Sequence, residues 1–356
     1  MGEKFNFGII GAGVISAYHA KAIQAHPDGR IVAVADVVKS SADRFVAEYG
    51  GEAMTDFTAM VRRPDIDAVC VCSPTYLHAE HALAALKAGK HVIVEKSMAI
   101  NLVDATRMIV AARERNVKLA VIFQKRTEEA PGRIKKAIAA GVFGKMVFGD
   151  ASLKYWRNQA YYDGASWRGT WAMEGGGSTM TQGTHGIDLL LFMMGDVAKI
   201  YAWMDTVAHT RIEVEDAAVA LLKFKNGAYG RLQTSTATNP GQGNIFEFNG
   251  TRGSAVLVED RITHWAVSDS TETLAQETIV GVEGKAGTAA SSATVFPVEG
   301  HIKQMANFIA AVRDGEPLIC DGAEGRRSLQ LIMGLYESAR RREEVYLDEL
   351  LRGLET

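Results

Sequence analysis

The stretch that most constrains the fold runs from Phe5 to Ser16, FNFGIIGAGVIS. An apolar run ending at Ile10 meets Gly11-Ala12-Gly13, and a small residue, Ser16, follows three positions on. This pattern predicts a strand, a tight glycine turn and the start of a helix. Such a turn leaves bare backbone N–H groups at a helix N-terminus, where they and the helix dipole attract a phosphate. Gly11 permits the turn, Gly13 lets a pyrophosphate come close, and Ser16 sits where a small residue lets helix and strand meet. The next apolar run ends in Asp36, 20 residues after Ser16, where a carboxylate accepts hydrogen bonds from ribose hydroxyls. The segment therefore reads as a dinucleotide-binding unit, with Gly11, Gly13, Val14, Ile15 and Asp36 on the cofactor side.

Four further runs follow the same logic. Ile31–Ala35, Ala68–Cys72, His91–Val94 and Lys118–Phe123 are rich in Val, Ile and Ala without polar alternation, as expected of strands covered on both faces. A short edge strand is expected near Met54, and Gly29, Gly50-Gly51 and Gly89 stand where the intervening helices should stop. This is the pattern of an α/β, doubly wound (Rossmann) parallel sheet over residues 1–124. Ligands of such sheets sit at the carboxyl ends of the strands. Those ends carry Ser73-Pro74-Thr75, with His78 just beyond, then Glu95-Lys96 and Gln124-Lys125. Ser73, Pro74, Thr75, His78, Glu95, Lys96 and Gln124 complete the cofactor-side candidates. Lys96, closing an apolar VIVEK run at the ligand edge, is a candidate for chemistry rather than a solvated surface lysine. Asp36 favours NAD, since its charge would repel a 2′-phosphate; Lys39 and Ser40 lie near enough to keep NADP open as the alternative.

Residues 125–356 change character and predict an α+β domain with a large, mostly antiparallel open sheet. Strands are expected at Met146–Leu153, Lys199–Thr206, Asp216–Phe224, Ala228–Thr236, Asn244–Asn249, Ser254–Val258, Ile262–Ala266 and Glu277–Val280. Asn226-Gly227 and Asn249-Gly250 are hairpin signals. Gly281–Val298 reads as a loop and a candidate lid. Two helices close the chain over about 301–341 and are candidates to fold back on the first domain.

The loop Tyr155–Met173 gathers Tyr155, Trp156, Tyr161, Tyr162, Trp167 and Trp171 beside Arg157 and Arg168. Flat amphipathic rings and guanidinium groups suit a polyhydroxylated or anionic small molecule, and equally a small aromatic core that ties the loop down. Next come Gly175-Gly176-Gly177, whose glycines invite close backbone approach, and then STMTQGTHGIDLLLFMMG. If a helix already runs from about Ser178, then Thr181, His185 and Asp188 share one face, with Gln182 adjacent. A histidine beside a hydroxyl and a carboxylate is suited to general acid–base work.

Composition narrows the partners. A net charge of −3 offers no electrostatic footprint for nucleic acid or an anionic membrane. The N-terminus lacks the apolar core of a signal peptide, no run is long enough to span a membrane, and three cysteines fit a reducing compartment, so a cytoplasmic protein is expected. His78 and His81 form an H-x-x-H without further ligands at metal spacing, so no metal is expected.

Longer segments resemble one family. Ala88–Ser97, AGKHVIVEKS, is similar to its AGKHV-x-x-EKP motif, with Ser97 in place of the usual proline. Ser166–Asp188 is similar to its WRGTW…GGG…QG-x-H-x-x-D block. Ile212–Asp216, followed by Gly227 and Ser235, matches its IEVED…NG…S pattern, and His301, Phe308, Asp321-Gly322 and Tyr336–Ala339 fit its ending. The family is the Gfo/Idh/MocA oxidoreductases, related to glucose–fructose oxidoreductase and inositol dehydrogenase. The resemblance implies NAD(P)-dependent hydride transfer at a secondary alcohol or ketone of a sugar, cyclitol or sugar derivative. It makes Lys96 and His185 catalytic, and Thr181, Gln182, Arg168, Trp167, Asp188 and Tyr162 substrate contacts. One position departs: many relatives carry Asp or Asn four residues before the histidine, where this chain has Thr181, so a Lys–Asp–His triad does not carry over. Two other readings stay open. One is a nucleotide-sugar dehydrogenase in which Arg157 or Arg168 grips a diphosphate. The other is a non-catalytic dinucleotide-binding sensor, which would be expected to lack Lys96 or His185. A sheet with one uncovered face predicts a homodimer or homotetramer through that face.

Overall fold

Six strands form the first sheet: β1 (Phe5–Ile10), β2 (Gly29–Ala35), β3 (Glu52–Met54), β4 (Ala68–Val71), β5 (His91–Val94) and β6 (Leu119–Val121). They are all parallel, in the order β3-β2-β1-β4-β5-β6. The chain thus winds outward from β1 in one direction and returns to wind outward from β4 in the other. The strand order reverses between β1 and β4, which is where such sheets bind ligands. Residues 4–268 and 297–354 are described in this computed structural model. The expected strand Glu277–Val280, and the candidate lid Gly281–Val298 up to residue 296, lie outside them.

Central strands are apolar on both sides because both sides are covered. Phe7, Ile9, Val69, Cys70, Val92 and Ile93 are at most 1% exposed. The helix Val14–Ala25 lies against a second helix, Glu299–Arg313, whose Met305, Phe308 and Ile309 share a core with Phe5, Phe7 and Ile23. Gly29 does not stop a helix: the first one ends at Ala25, and Gly29 opens β2.

The second sheet has eight strands in the order β13-β12-β11-β7-β10-β9-β8-β14. They are β7 (Met146–Lys154), β8 (Val197–Asp205), β9 (Ala217–Phe224), β10 (Tyr229–Ser235), β11 (Gly243–Gly250), β12 (Gly253–Val258), β13 (Arg261–Val267) and β14 (Val345–Tyr346). Every pairing is antiparallel except β7 with β10. Asn226-Gly227 does join the hairpin β9–β10, with Gly227 at φ +91°. Asn249 instead pairs with Ser254, which moves the next turn on to Thr251-Arg252. The helix Thr184–Met194 covers β7 on one face. Cross-strand partners share a face, so Phe148, Tyr229, Leu221, Tyr201, Trp203 and Tyr346 stand together on the other. Five of these six are at least 47% exposed.

Contacts divide the chain into two units, 1–127 with 296–326 and 354–356, and 128–295 with 327–353. Cys70, Cys72 and Cys320 are buried and unbridged. Among the described residues no helix is long and apolar enough to cross a membrane.

Candidate active-site residues in the two units

In the first unit the glycine turn takes the geometry a phosphate cradle needs. Gly11 has φ +96°, and a Cβ there would lie 2.8 Å from the Cys72 carbonyl oxygen, so only glycine fits. Gly13 caps the helix Val14–Ala25, has no side-chain cap bonded to it, and a Cβ on it would meet open space. The free N–H groups of that helix therefore face room for a pyrophosphate. Ser16 is fully buried, and its hydroxyl donates to the Gly13 carbonyl at 2.5 Å, within the first turn of its own helix. Asp36 does more than its position promised. Its Oδ2 accepts the Ala12 N–H at 2.8 Å and its Oδ1 accepts the Val38 N–H at 2.8 Å. Each oxygen keeps a lone pair for a ribose hydroxyl. These residues fit a bound dinucleotide.

The ends of β4 and β5 are tied together by one imidazole. His78 is 1% exposed, with Nδ1 2.8 Å from the Ser97 carbonyl and Nε2 2.8 Å from the Ser73 carbonyl. Burial pushes its pKa below the usual histidine range, against the two carbonyl contacts that favour a proton. His78 is therefore a brace under the Ser73–Thr75 turn rather than a surface contact. His81 Nδ1 meets the Ser73 hydroxyl at 2.9 Å, and burial pushes that ring down to about 4. The Lys96–Ser97 peptide bond is cis.

Glu95 also turns inward. It is 5% exposed; His19 Nε2 donates to its Oε1 at 2.8 Å, His301 Nε2 lies 3.7 Å from the same oxygen, and the Lys96 N–H donates to Oε2 at 3.3 Å. Burial alone would raise its pKa, but hydrogen bonds and charge from the two imidazoles hold it well below the usual carboxylate range. The three ligand atoms lie within 4.8 Å of one another. A 2.8 Å separation is a hydrogen bond, and the charge–imidazole network accounts for the cluster. Sequence reasoning missed His19 and His301; only His301, through the family ending, carried a signal.

In the second unit the glycine segment is explained by the chain's own side chains. A Cβ on Gly176 would lie 2.1 Å from the Tyr336 hydroxyl, and one on Gly177 would lie 1.8 Å from the Glu215 carbonyl oxygen. Glu215 is buried; its carboxylate accepts the Gly177 N–H at 2.8 Å, the Thr179 N–H at 2.8 Å and the Tyr336 O–H at 3.1 Å. Burial raises its pKa, and the backbone N–H bonds offset that only in part. The close approach expected at these glycines is thus made by Glu215 and Tyr336.

The helix carrying His185 begins at Thr184, not at Ser178. Residues 178–183 form turns closed by Thr181 N–H to Gly177 O at 3.0 Å and Gly183 N–H to Ser178 O at 2.8 Å. Thr181, Gln182 and His185 stay half-buried. Asp188 does not join them: it is 1% exposed and accepts the Ser328 hydroxyl at 2.9 Å. Tyr162 is 4% exposed, bonded to Thr236 at 2.8 Å and set edge-on against His209. Both side chains are buried and each spends a hydrogen bond within this unit. Thr181 donates to the Gly177 carbonyl at 2.8 Å and touches the Gln182 amide, whose Nε2 donates to the Tyr161 hydroxyl at 3.2 Å. The Arg168 guanidinium sits 4.3 Å from the Tyr161 ring centre and 5.2 Å from that of Trp167. Arg157 approaches Tyr161 at 5.4 Å.

Comparison with known proteins agrees with this architecture. Residues 5–123 match the family model described as an oxidoreductase family with NAD-binding Rossmann fold, and residues 132–256 match the GFO/IDH/MocA C-terminal domain. The chain is 27% identical to myo-inositol 2-dehydrogenase of Thermotoga maritima, across 97% of this chain and 99% of that one. It is 30% identical to 1,5-anhydro-D-fructose reductase of Ensifer adhaerens, across 70% and 74%. Among solved structures, WlbA dehydrogenase from Bordetella pertussis in complex with NADH and UDP-GlcNAcA superposes with a TM-score of 0.86 at 31% identity, covering 97% of this chain and 99% of that one. A Rossmann sheet followed by a mostly antiparallel sheet defines a nicotinamide-dependent oxidoreductase. The chain belongs to the Gfo/Idh/MocA family of these enzymes.

Proposed function

We propose that the protein oxidises a secondary alcohol of a sugar, cyclitol or sugar derivative, or reduces the matching ketone, with His185 and Lys96 as its catalytic residues. One observation carries this reading: the turn Gly177–Gly183, pinned by the Gly177 and Thr179 N–H bonds to Glu215, leaves Thr181, Gln182 and, just beyond it, His185 half-buried rather than sealed in the core. NAD, when bound, would supply the hydride acceptor, and NADH the donor in the reverse direction. Gly11, Gly13 and the Val14–Ala25 helix N-terminus hold its pyrophosphate, and Asp36 holds the ribose and sets the preference for NAD over NADP. Ser73, Pro74, Thr75 and Gln124 line the same rim. His185 takes the hydroxyl proton as the alcohol is oxidised and returns it in the reverse direction. The Lys96 ammonium favours the alkoxide that forms meanwhile. Thr181 hydrogen-bonds a substrate hydroxyl but has no carboxylate with which to act as a base. Gln182, Arg168 and Trp167 orient the ring.

The test is a panel of sugars, cyclitols and sugar derivatives with NAD and NADP, read by nicotinamide absorbance. Replacing His185 by Ala should lower kcat by ~10²–10⁴-fold on the best substrate. A loss of only a few-fold would remove His185 as the proton acceptor. Homologous structures and names point to dehydrogenases of neutral sugars and of a nucleotide sugar alike. The aromatic face of the second sheet supports self-association, and the free buried cysteines support a cytoplasmic setting. Replacing Trp203 by Asp should shift the mass seen by light scattering toward the monomer; an unchanged mass would reject that face.

A further inference from the structure

Two arginines in the aromatic loop carry more charge than their surroundings answer. Arg157 is 9% exposed. Its Nη1 donates to the Trp156 carbonyl at 2.8 Å, and its buried Nε has no acceptor among the described residues. Arg168 Nη1 donates to the Tyr161 carbonyl at 2.7 Å, and its buried Nε likewise has no acceptor among the described residues. Neither guanidinium lies within 4.0 Å of a carboxylate of any described residue. Each guanidinium has five N–H donors, so most of that capacity is unspent.

The acids of the neighbourhood are committed elsewhere. Asp163 pairs with Arg211 at 2.6 Å. Asp216 accepts His209 and the N–H groups of Val207, Ala208 and His209. Glu174 accepts the Gly169 N–H at 2.6 Å, and Glu213 accepts the Trp171 N–H at 3.2 Å. Arg157 is the buried one of the two, and a buried cation without a counter-charge is costly. Both arginines converge on the Tyr161 ring, and the Tyr161 hydroxyl accepts from Gln182, on the turn that leads into His185. Arg168 also forms part of the wall of an open groove of about 370 Å³, with Ser166 and Thr170. Thr181, on the same turn as Gln182, is neutral and adds no repulsion toward an anion.

We propose that Arg157 and Arg168 recognise an anionic group on the sugar, so that the substrate is an acidic sugar derivative rather than a neutral polyol. This rests on the sugar-oxidoreductase reading above and narrows it. A carboxylate on the ring and a diphosphate linked to it share the required chemistry: planar or tetrahedral oxygens that take bidentate guanidinium bonds.

The experiment measures binding and turnover separately, on the NAD-loaded enzyme. Glucose, glucuronate, UDP-glucose and UDP-glucuronate serve as calorimetric probes and as candidate substrates. At least one acidic probe should bind or turn over about 30-fold better than glucose, the scale of one desolvated charge contact. Glucuronate above glucose identifies a carboxylate site; UDP-glucose above glucose identifies a diphosphate site. Arg168→Met should raise Kd and KM for the acidic probe about 30-fold while kcat stays within a few-fold. Arg168→Lys should restore part of the loss, which a merely structural stacking role would not do. The half-exposed Arg168 is the variant of choice because truncating buried Arg157 risks misfolding. Equal binding of acidic and neutral probes, or an Arg168→Met effect that falls on kcat alone, overturns the proposal. Acidic probes that bind but are never oxidised leave the anion site standing and reject the sugar-oxidoreductase reading. Turnover of neutral sugars with no advantage for acids does the reverse.

Discussion

Each unit hides a carboxylate behind its candidate site, and the two are handled in opposite ways. Glu95 stands one residue before Lys96 and is answered by two imidazoles, so it stays ionised although buried. Glu215 stands behind the glycine segment and is answered by backbone N–H groups and a tyrosine hydroxyl, which offset only part of the rise in pKa that burial causes. The first arrangement fixes a charged strand end with charge. The second fixes a turn with directional hydrogen bonds from N–H and O–H donors to one buried carboxylate. The difference teaches that the cofactor-side strand end is anchored electrostatically, whereas the turn before His185 is anchored by shape.

The comparison breaks most sharply through pH. Glu95 titrates lower when folded than when unfolded, so its contribution is present above the ordinary carboxylate range and is lost as pH falls through the depressed value. Glu215 titrates higher when folded, so its contribution is present below the ordinary range and fades as pH rises through the raised value. Replacing Glu95 by Gln should therefore cost about 3 kcal/mol near pH 7, and progressively less only as pH falls below the ordinary carboxylate range toward the depressed value, by urea unfolding. Replacing Glu215 by Gln should show the opposite slope, with the larger penalty in acid. Parallel slopes for the two variants would erase the distinction. A smaller effect sharpens the shape argument: Gly176→Ala should cost about 1–3 kcal/mol through the clash with Tyr336. On a Tyr336→Ala background the Gly176→Ala penalty should shrink, since the Tyr336 hydroxyl and two ring carbons lie 2.1, 2.6 and 2.7 Å from that Cβ; an unchanged penalty would place the constraint in the backbone at φ +157°.

Much of the first unit was legible because its signals are local. Valine- and isoleucine-rich runs, a glycine turn and an acid at the next strand end each sit within a short window, and the parallel sheet follows from them. Lys96 and His185 could be singled out because strand ends and helix starts are local too. The braces were not legible. His19 meets Glu95 across 76 residues and Tyr336 meets Glu215 across 121, distances over which no periodicity speaks. The helix start expected near Ser178 failed for a related reason. A face shared by Asp188 and Thr181 required continuous helix from Ser178, but Glu215 holds that stretch in turns, which breaks the angular relation. The parallel β7–β10 pair likewise unites strands far apart in sequence that carry no mark of their partner.

Asp36 has two jobs in the reading proposed above: it accepts the Ala12 N–H within the glycine turn, and it would meet the ribose that distinguishes the two nicotinamide dinucleotides. Any redesign that trades this acid for a neutral residue to admit an extra phosphate also unlatches the loop that must grip the phosphates already there. Coenzyme choice and loop rigidity are thus mechanically linked, and a successful switch has to supply a new acceptor for the Ala12 amide from somewhere else in the chain.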